Sequence, residues 1–339
     1  MVALTGCRNM VLDDEPANNA QENFDYLWEQ IRNRYAFIEY KGLDWEAIRA
    51  KYQPLVYNGM SDEQLFLVLG NMVNELRDGH SNLISPFNVS VYQPLTLAYK
   101  ENFYPRPVMN RYLNRIPDRL FITGALQHTI LDTLGTQIGY VRYSSFMNEV
   151  SEHDIDYVIQ RMTLAGVSGL ILDLRSNGGG SVANIPVLVS RLADKRRKVY
   201  TSYIKNGPGA TDFSDGEEVF FEPDGNTFTQ RIAVLTNRGC YSATSFFCTA
   251  MRVFPYVRLI GDSTGGGLGA PNGGELPNGW TYRFSVTKTI STEKDPEGNG
   301  WNWEDGVPPH IYVNINQALN ENDYDPIIER GIQYIITGN

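Results

Sequence analysis

Apolar residues recur at helical spacing in the early part of the chain. Phe24, Leu27, Trp28 and Ile31 fall on one face, and Leu65, Leu67, Leu69, Met72 and Leu76 follow the polar start Ser61-Asp-Glu-Gln64. A 3.6-residue recurrence predicts amphipathic helices. Ser61 and Gln64 have the form of a capping box, in which hydroxyl and amide side chains each satisfy the other residue's backbone N–H. From Asn82 to about Arg119 the runs become short, strand-like and aromatic, broken by Pro86, Pro94, Pro105 and Pro107. Beyond Leu120 the pattern changes again. Ile138 to Arg142, Gly169 to Leu174, Ile232 to Leu235 and Val257 to Ile260 read as strands. Glu149 to Ala165, Val182 to Leu192, Ser242 to Arg252 and Tyr324 to Ile336 read as helices. Alternation of this kind predicts βαβ units and a largely parallel sheet. Trp280 to Phe284 alternates as a further strand, and the glycine- and asparagine-rich run Gly265 to Asn278 predicts a mobile loop. The expected organisation is a polar leader over 1–22, an N-terminal helical domain over 23–81, a short β-rich connecting region over 82–119 and an α/β core domain over 120–339.

Charge and composition narrow the functional classes. The 339 residues carry a formal net charge of −10, which argues against nucleic-acid binding because phosphate contacts need clustered Lys and Arg. The basic run Asp194-Lys-Arg-Arg-Lys198 follows the helix expected at Val182 to Leu192, where cations meet the helix dipole, so it reads as a solvated helix end. No stretch approaches about 18 apolar residues, so no transmembrane span is expected. Of three cysteines, Cys240 and Cys248 read as small packing residues. Leu4-Thr-Gly-Cys7 matches the bacterial lipobox, and the polar stretch Asp13 to Gln21 suits a tether. A lipid anchor at Cys7 and an extracytoplasmic location are therefore expected; the charged and long apolar segments that usually precede a lipobox do not stand before it, so either the start is truncated or the match is chance.

Two strand ends hold the candidate chemistry. Leu235-Thr-Asn-Arg-Gly-Cys-Tyr-Ser-Ala-Thr-Ser-Phe-Phe247 turns from strand to helix with Ser242 at the junction. A serine there stands beside free helix amides, that of Ala243 among them, which can face a developing negative charge. The plain alternative is that Ser242 only caps the helix. The strand Gly169 to Leu174 runs into Arg175-Ser-Asn-Gly-Gly-Gly-Ser181. No Gly-Lys-Ser/Thr follows these glycines and their spacing is not that of a dinucleotide fingerprint, so no nucleotide is expected; no metal is expected either, since Cys240 and Cys248 have no His/Asp partner at metal spacing. Both segments sit at carboxyl ends of strands, where open α/β sheets gather their ligand chemistry.

These segments resemble the S41 peptidase family of tail-specific or C-terminal-processing peptidases, in particular its tricorn-core and retinoid-binding-protein-like branch. The landmarks are Phe24-Asp-Tyr-Leu-Trp28 with Leu43-Asp-Trp45, Leu76-Arg-Asp-Gly-His80, Ile138-Gly-Tyr-Val-Arg-Tyr143 and Asp173-Leu-Arg-Ser-Asn-Gly-Gly-Gly180. Thr236 to Ala243, Gly261-Asp-Ser-Thr-Gly-Gly-Gly267 and Asp305-Gly-Val-Pro-Pro309 complete them. The resemblance implies a ClpP/crotonase-like α/β core behind a small helical domain, with no obvious PDZ domain. It implies a serine peptidase in which Ser242 attacks the peptide carbonyl, with Gly179 or its neighbour Gly178 and Ala243 donating to the oxyanion. Many relatives use a lysine base in a G-x-x-T-x-G-K context, but here Thr264-Gly-Gly-Gly-Leu268 has none. The tricorn branch uses a histidine base, which His80 matches; a structural histidine is the alternative. That branch also uses a glutamate near the C-terminal Gly-Val motif, for which Glu304 is the nearest candidate and Asp305 the alternative. A serine directly before the histidine is replaced by Gly79, and an acid three residues after the nucleophile by Ser245.

The expected activity is hydrolysis of unstructured or C-terminal protein segments through an acyl-enzyme, with a peptide or unfolded protein as partner. A catalytically weak or inactive peptide-binding homologue is the alternative, motivated by Gly79, Ser245 and the missing lysine. An apolar-ligand-binding module is a third reading.

Overall fold

A computed structural model describes residues 17–92, 102–113, 120–133, 135–315 and 324–339. Cys7 and most of the polar leader lie outside the described residues, as do Pro94 and much of the expected connecting region. Helices α1 (Ala20–Arg34), α2 (Trp45–Tyr52) and α3 (Asp62–Asn74) lead into strands β1 (Asn82–Ile84) and β2 (Val89–Val91). A single turn α4 (Pro105–Pro107) continues as a π-helical segment Val108–Leu113, and then come β3 (Phe121–Thr123), β4 (Leu126–Thr133) and β5 (Thr136–Tyr143). After α5 (Glu152–Leu164) follow β6 (Gly169–Asp173), α6 (Asn184–Ser190), β7 (Arg197–Ile204), β8 (Glu217–Phe221) and β9 (Arg231–Thr236). The chain closes with α7 (Ala243–Met251), β10 (Val257–Gly261), β11 (Pro271–Glu275), β12 (Thr281–Ser285), β13 (Thr287–Ser291), β14 (Ile311–Tyr312) and α8 (Pro326–Thr337).

The described chain divides into two compact units. The first takes the residues up to Tyr92 together with Lys205–Phe213 and Pro271–Val286, and the second takes the rest. The boundaries expected from sequence therefore shift, because two segments placed in the core domain return to the N-terminal unit. In that unit Asn19 caps α1, Asp44 caps α2, and the Ser61/Gln64 capping box of α3 is complete. Trp28 and Trp45 exchange indole N–H to carbonyl bonds of 3.2 and 3.1 Å, which lets two large rings be buried without orphaning their donors. The helices pack their apolar faces on an antiparallel sheet of order β11-β12-β1-β2, with Leu83, Trp280, Tyr282 and Phe284 in the shared core. Thus Pro271–Glu275, inside the stretch expected to be a loop, is a strand paired with β12.

The second unit is built on a seven-stranded sheet of order β14-β10-β9-β6-β5-β4-β3, parallel from β14 through β5 and antiparallel from β5 to β3. Every residue of β6 is buried, and so is β9 apart from Arg231, consistent with near-continuous apolar runs in a sheet covered on both faces. Residues 105–113 are helical rather than strand-like: Pro105 and Pro107 begin a turn whose fixed φ suits a helix start. The basic run is also placed differently. Helix α6 ends at Ser190, and Lys195–Lys198 forms the approach to and start of β7, where Arg197 pairs with Asp194 and Lys198 with Glu218.

His128 shows how this unit responds to acid. Arg161 Nη1 can only donate, so it fixes His128 Nδ1 as acceptor at 3.3 Å and leaves Nε2–H to donate to Thr123 Oγ1 at 3.0 Å. Burial, and secondly the Arg161 charge, lower the imidazole pKa to about 4. A histidine whose folded pKa lies below its unfolded value of about 6.5 contributes stability that is complete above that value and lost as pH falls toward the folded one. The thermal midpoint of the protein is accordingly expected to fall between pH 6.5 and 4, and His128→Gln to make that decline shallower.

Candidate active site

Ser242 stands between β9 and α7 with φ 55° and ψ −121°, a conformation that favours glycine, and its side chain makes no capping bond to the helix. A cap serine has extended backbone and a hydroxyl turned back to the N2 or N3 amide. The capping alternative is therefore overturned: the backbone is strained and the hydroxyl serves no helix amide. The Ser242 amide donates to the Gly266 carbonyl at 3.0 Å, which ties the turn to the 264–269 loop. Ala243 occupies the first helical position, where an amide has no intrahelical acceptor.

Asn177 staples the glycine turn to this junction. Its carbonyl accepts the Tyr241 amide at 3.1 Å and the Thr244 hydroxyl at 2.9 Å, one residue before and two after Ser242. Its Oδ1 accepts the amides of Gly179 at 3.0 Å and Phe146 at 3.2 Å, while Nδ2 donates to the Tyr143 carbonyl at 2.9 Å. Asn237 links the same two turns, accepting the Ser176 amide at 2.7 Å and donating to its hydroxyl at 3.1 Å. A methyl group on Gly179 would stand 2.9 Å from Ser242 Cβ and 2.5 Å from the Tyr241 carbonyl oxygen, so glycine is required for the approach. The Gly179 amide is engaged by Asn177, whereas Gly178 makes no backbone bond among the described residues and a Cβ there would meet open space. Neither asparagine was assigned a role from sequence. Asn177 and Asn237 both lie within family landmarks, but a spacing rule cannot show that one side chain serves two turns.

Glu304 is brought into the same loop cluster. It is buried, with 4% exposure, its carbonyl accepts the Gly267 amide at 2.9 Å, and its Oε2 accepts the Gly269 amide at 2.9 Å. Asp305 is exposed and offers its carbonyl to Arg238 Nη1 at 3.0 Å, so of the two acids Glu304 is the one held inside. Ser245 is buried and donates to Thr264 Oγ1 at 2.9 Å, and Thr264 Oγ1 in turn accepts the Val307 amide at 2.9 Å. Gly267 stands where the lysine of the G-x-x-T-x-G-K pattern would fall. Its φ is +74°, and a side chain there would meet the Tyr241 ring at 2.5 Å. A lysine side chain at position 267 therefore does not fit this loop as it is folded. Cys240, two residues before the serine, donates to the Leu174 carbonyl at 3.0 Å, and burial raises its pKa to about 12, which keeps it a thiol.

His80 belongs to the first unit. Its amide donates to Asp78 Oδ1 at 2.8 Å, its carbonyl accepts Arg283 Nε at 3.3 Å, and its Nδ1 lies 3.5 Å from Ser285 Oγ. The other histidines are differently employed. His128 is held between Thr123 and Arg161, and His153 is exposed at the start of α5. His310 Nδ1 accepts the Leu259 amide at 2.9 Å, and burial with the Arg252 and Arg258 charges lowers its pKa to about 3.

Residues 137–313 match the family model of peptidase family S41, and residues 16–74 that of the tricorn protease C1 domain. The chain belongs to peptidase family S41. Among curated S41-like relatives, the carboxy-terminal processing protease CtpA of Bacillus subtilis is 26% identical over 178 residues, 52% of this chain and 35% of that protein. A chloroplastic carboxyl-terminal-processing peptidase of Arabidopsis thaliana is 27% identical over 167 residues, 49% of this chain and 30% of that protein. The matches span about a third of the length of these relatives. A crystal structure from Parabacteroides merdae, provisionally assigned as a peptidase, superimposes with a TM-score of 0.84 at 34% identity, covering 95% of this chain and 98% of that one. Mature CPAF shares the fold, with a TM-score of 0.68 at 13% identity over 95% and 98% of the two chains. The expected S41 fold, an α/β core with a parallel-containing sheet behind N-terminal helices, is therefore present. No helix among the described residues is long and apolar enough to cross a membrane.

Proposed function

We propose that this S41 peptidase cleaves unstructured or C-terminal polypeptide segments by a serine mechanism. Ser242 is the nucleophile, His80 the general base, and the adduct an acyl-enzyme that water releases. The observation that carries this reading is the strained Ser242 backbone with a hydroxyl that makes no helix cap, because strain of about 1–3 kcal/mol at one side chain is retained where function needs that side chain presented. A neutral imidazole accepts a serine proton near pH 7 without tuning. The oxyanion is held by the Ala243 amide and by the glycine turn. Within that turn Gly178 or Gly179 donates; the engagement of the Gly179 amide by Asn177 Oδ1 supports Gly178. Glu304 supplies the negative charge that favours the imidazolium formed when His80 takes the proton.

The test is mass-spectrometric scanning of a diverse unstructured peptide pool with the wild type, Ser242→Ala and His80→Ala. Cleavage by the wild type that is lost in both variants supports the assignment. A folded wild type that binds peptides but cleaves none would favour the inactive peptide-binding reading, which Gly79 and Ser245 motivate. Extracytoplasmic placement rests on the Leu4–Cys7 pattern alone and is checked by metabolic labelling with a fatty acid, which Cys7→Ala should abolish.

A lysine cannot be restored to this site by one substitution. Gly267→Lys places a side chain at φ +74° and against the Tyr241 ring, and is expected to cost about 1–3 kcal/mol of stability. In a His80→Ala background it should recover no cleavage; recovery would show that the lysine site is intact and that His80 was not needed.

A further inference from the structure

We propose that Ser285 is the positioning residue that sets the tautomer of His80, a role that rests on the reading of His80 as the general base. A neutral imidazole carries its proton on either nitrogen, and only the ring with an unprotonated Nε2 can accept a proton there while Nδ1–H is held by a partner. Ser285 Oγ lies 3.5 Å from His80 Nδ1, and Ser285 is fully buried, with 0% exposure. With the hydroxyl oxygen as acceptor, Nδ1 keeps the proton and Nε2 keeps the lone pair.

Both partners are fixed by their backbones. His80 is bound on either side of its Cα, through its amide to Asp78 Oδ1 at 2.8 Å and through its carbonyl to Arg283 Nε at 3.3 Å. Ser285 ends β12, where its carbonyl accepts the Ala36 amide at 3.0 Å and its register partner in β11 is Pro271. Strand β12 also pairs with β1, Asn82 opposite Arg283 and Leu83 opposite Tyr282. The residue two places after His80 and the residue two places before Ser285 are thus cross-strand partners. This register brings the serine to the ring. The position before His80 is Gly79, which has no side chain to offer, and the described hydroxyl contact to the ring comes from 205 residues away.

The test uses the full chain labelled with 15N-histidine, read by long-range 1H–15N correlation near pH 8, where an unperturbed imidazole of pKa about 6.5 is neutral. The four histidines give four ring patterns, and His80→Ala assigns one of them. The wild-type His80 ring is expected with Nδ1 protonated and Nε2 unprotonated. Ser285→Ala should mix the tautomers and lower kcat about tenfold to thirtyfold with KM unchanged, and Ser285→Thr, which keeps the hydroxyl, should restore both. A wild-type ring protonated at Nε2 would overturn the proposal without any variant. So would a well-folded Ser285→Ala with an unchanged tautomer and kcat. Cleavage by His80→Ala at the wild-type rate would instead remove His80 as the base, whatever the tautomer result, so the two failures are told apart.

Discussion

Replacing Ser242 with alanine is expected to lower kcat on any cleaved peptide by roughly 10⁴ to 10⁶-fold, the scale on which loss of a serine nucleophile disables an acyl-transfer site, while the protein stays folded, because no helix-capping bond is lost. The stability side follows from the junction. Ser242 makes no cap bond to α7, so alanine forfeits no helix interaction, and both residues carry a Cβ at φ 55°. Ser242→Gly separates the two roles. Glycine adopts that backbone without steric cost, so this variant should be as inactive as alanine yet more stable than wild type, by about 1 kcal/mol after the entropy cost of glycine in the unfolded chain. Urea denaturation of the three proteins checks the order. A Ser242→Gly protein less stable than Ser242→Ala would show that the junction is not strained, and would remove the main support for Ser242 as nucleophile. An alanine variant that cleaves would remove the assignment itself.

Local pattern carried the elements and left their partners open. The buried strands of the core, the capping box at Ser61 and the strand-to-helix junction at Ser242 are readable because each is specified within about ten residues. The glycine turn was legible as a close-approach site, but the hydrogen bond from the Gly179 amide to Asn177 Oδ1 was not, since it depends on how the turn folds. The run 265–278 looked like a loop because its glycines and asparagines have low strand propensity, yet Pro271–Glu275 pairs with β12 through backbone bonds that do not depend on side chains. That pairing also moved the unit boundary, because a strand pair formed far along the sequence completes the sheet on which the N-terminal helices pack. That the 264–268 loop contains no lysine is plain in the sequence. That a side chain at position 267 would meet the Tyr241 ring became visible only in the fold. Helix α6 ending at Ser190 shows the reverse case, in which an apolar run through Leu192 and Ala193 continues into the core without helical backbone.

Arg175→Met is expected to be the most destabilising single change near the site, by about 3–5 kcal/mol, because it leaves buried carboxylates without their cation. Arg175 is fully buried and donates to Asp173 through Nε at 2.9 Å and Nη2 at 2.7 Å, and to Asp325 through Nη1 at 2.7 Å. Asp173 also accepts the Tyr140 hydroxyl at 2.7 Å, while Asp325 caps α8 through the Ile327 and Ile328 amides at 3.0 and 3.1 Å. One guanidinium thus joins the end of β6 to the start of the last helix. Burial opposes the Asp173 charge, yet the Arg175 charge and hydrogen bonds, with Arg142 and Tyr140, hold its carboxyl below the usual range. A carboxyl whose folded pKa is depressed contributes stability that is present above its unfolded value of about 3.9 and lost as pH falls through the folded one. In Arg175→Met that depression is removed and burial instead favours the protonated acid. The difference in stability between wild type and variant should therefore be largest near neutrality and shrink as pH falls toward 4. Asp173→Asn in the Arg175→Met background should recover at least about 1 kcal/mol, since it removes one stranded charge. The consequence for the site runs through the next residue. Ser176 is held at φ 61° as the glycine turn begins, so loosening Arg175 should lower kcat in the folded fraction as well as the folded fraction itself. Urea midpoints at pH 7 and pH 4.5, with turnover normalised to folded protein, test both parts; a pH-independent loss would mean that Arg175 acts through its packing on Phe103 rather than through its charge.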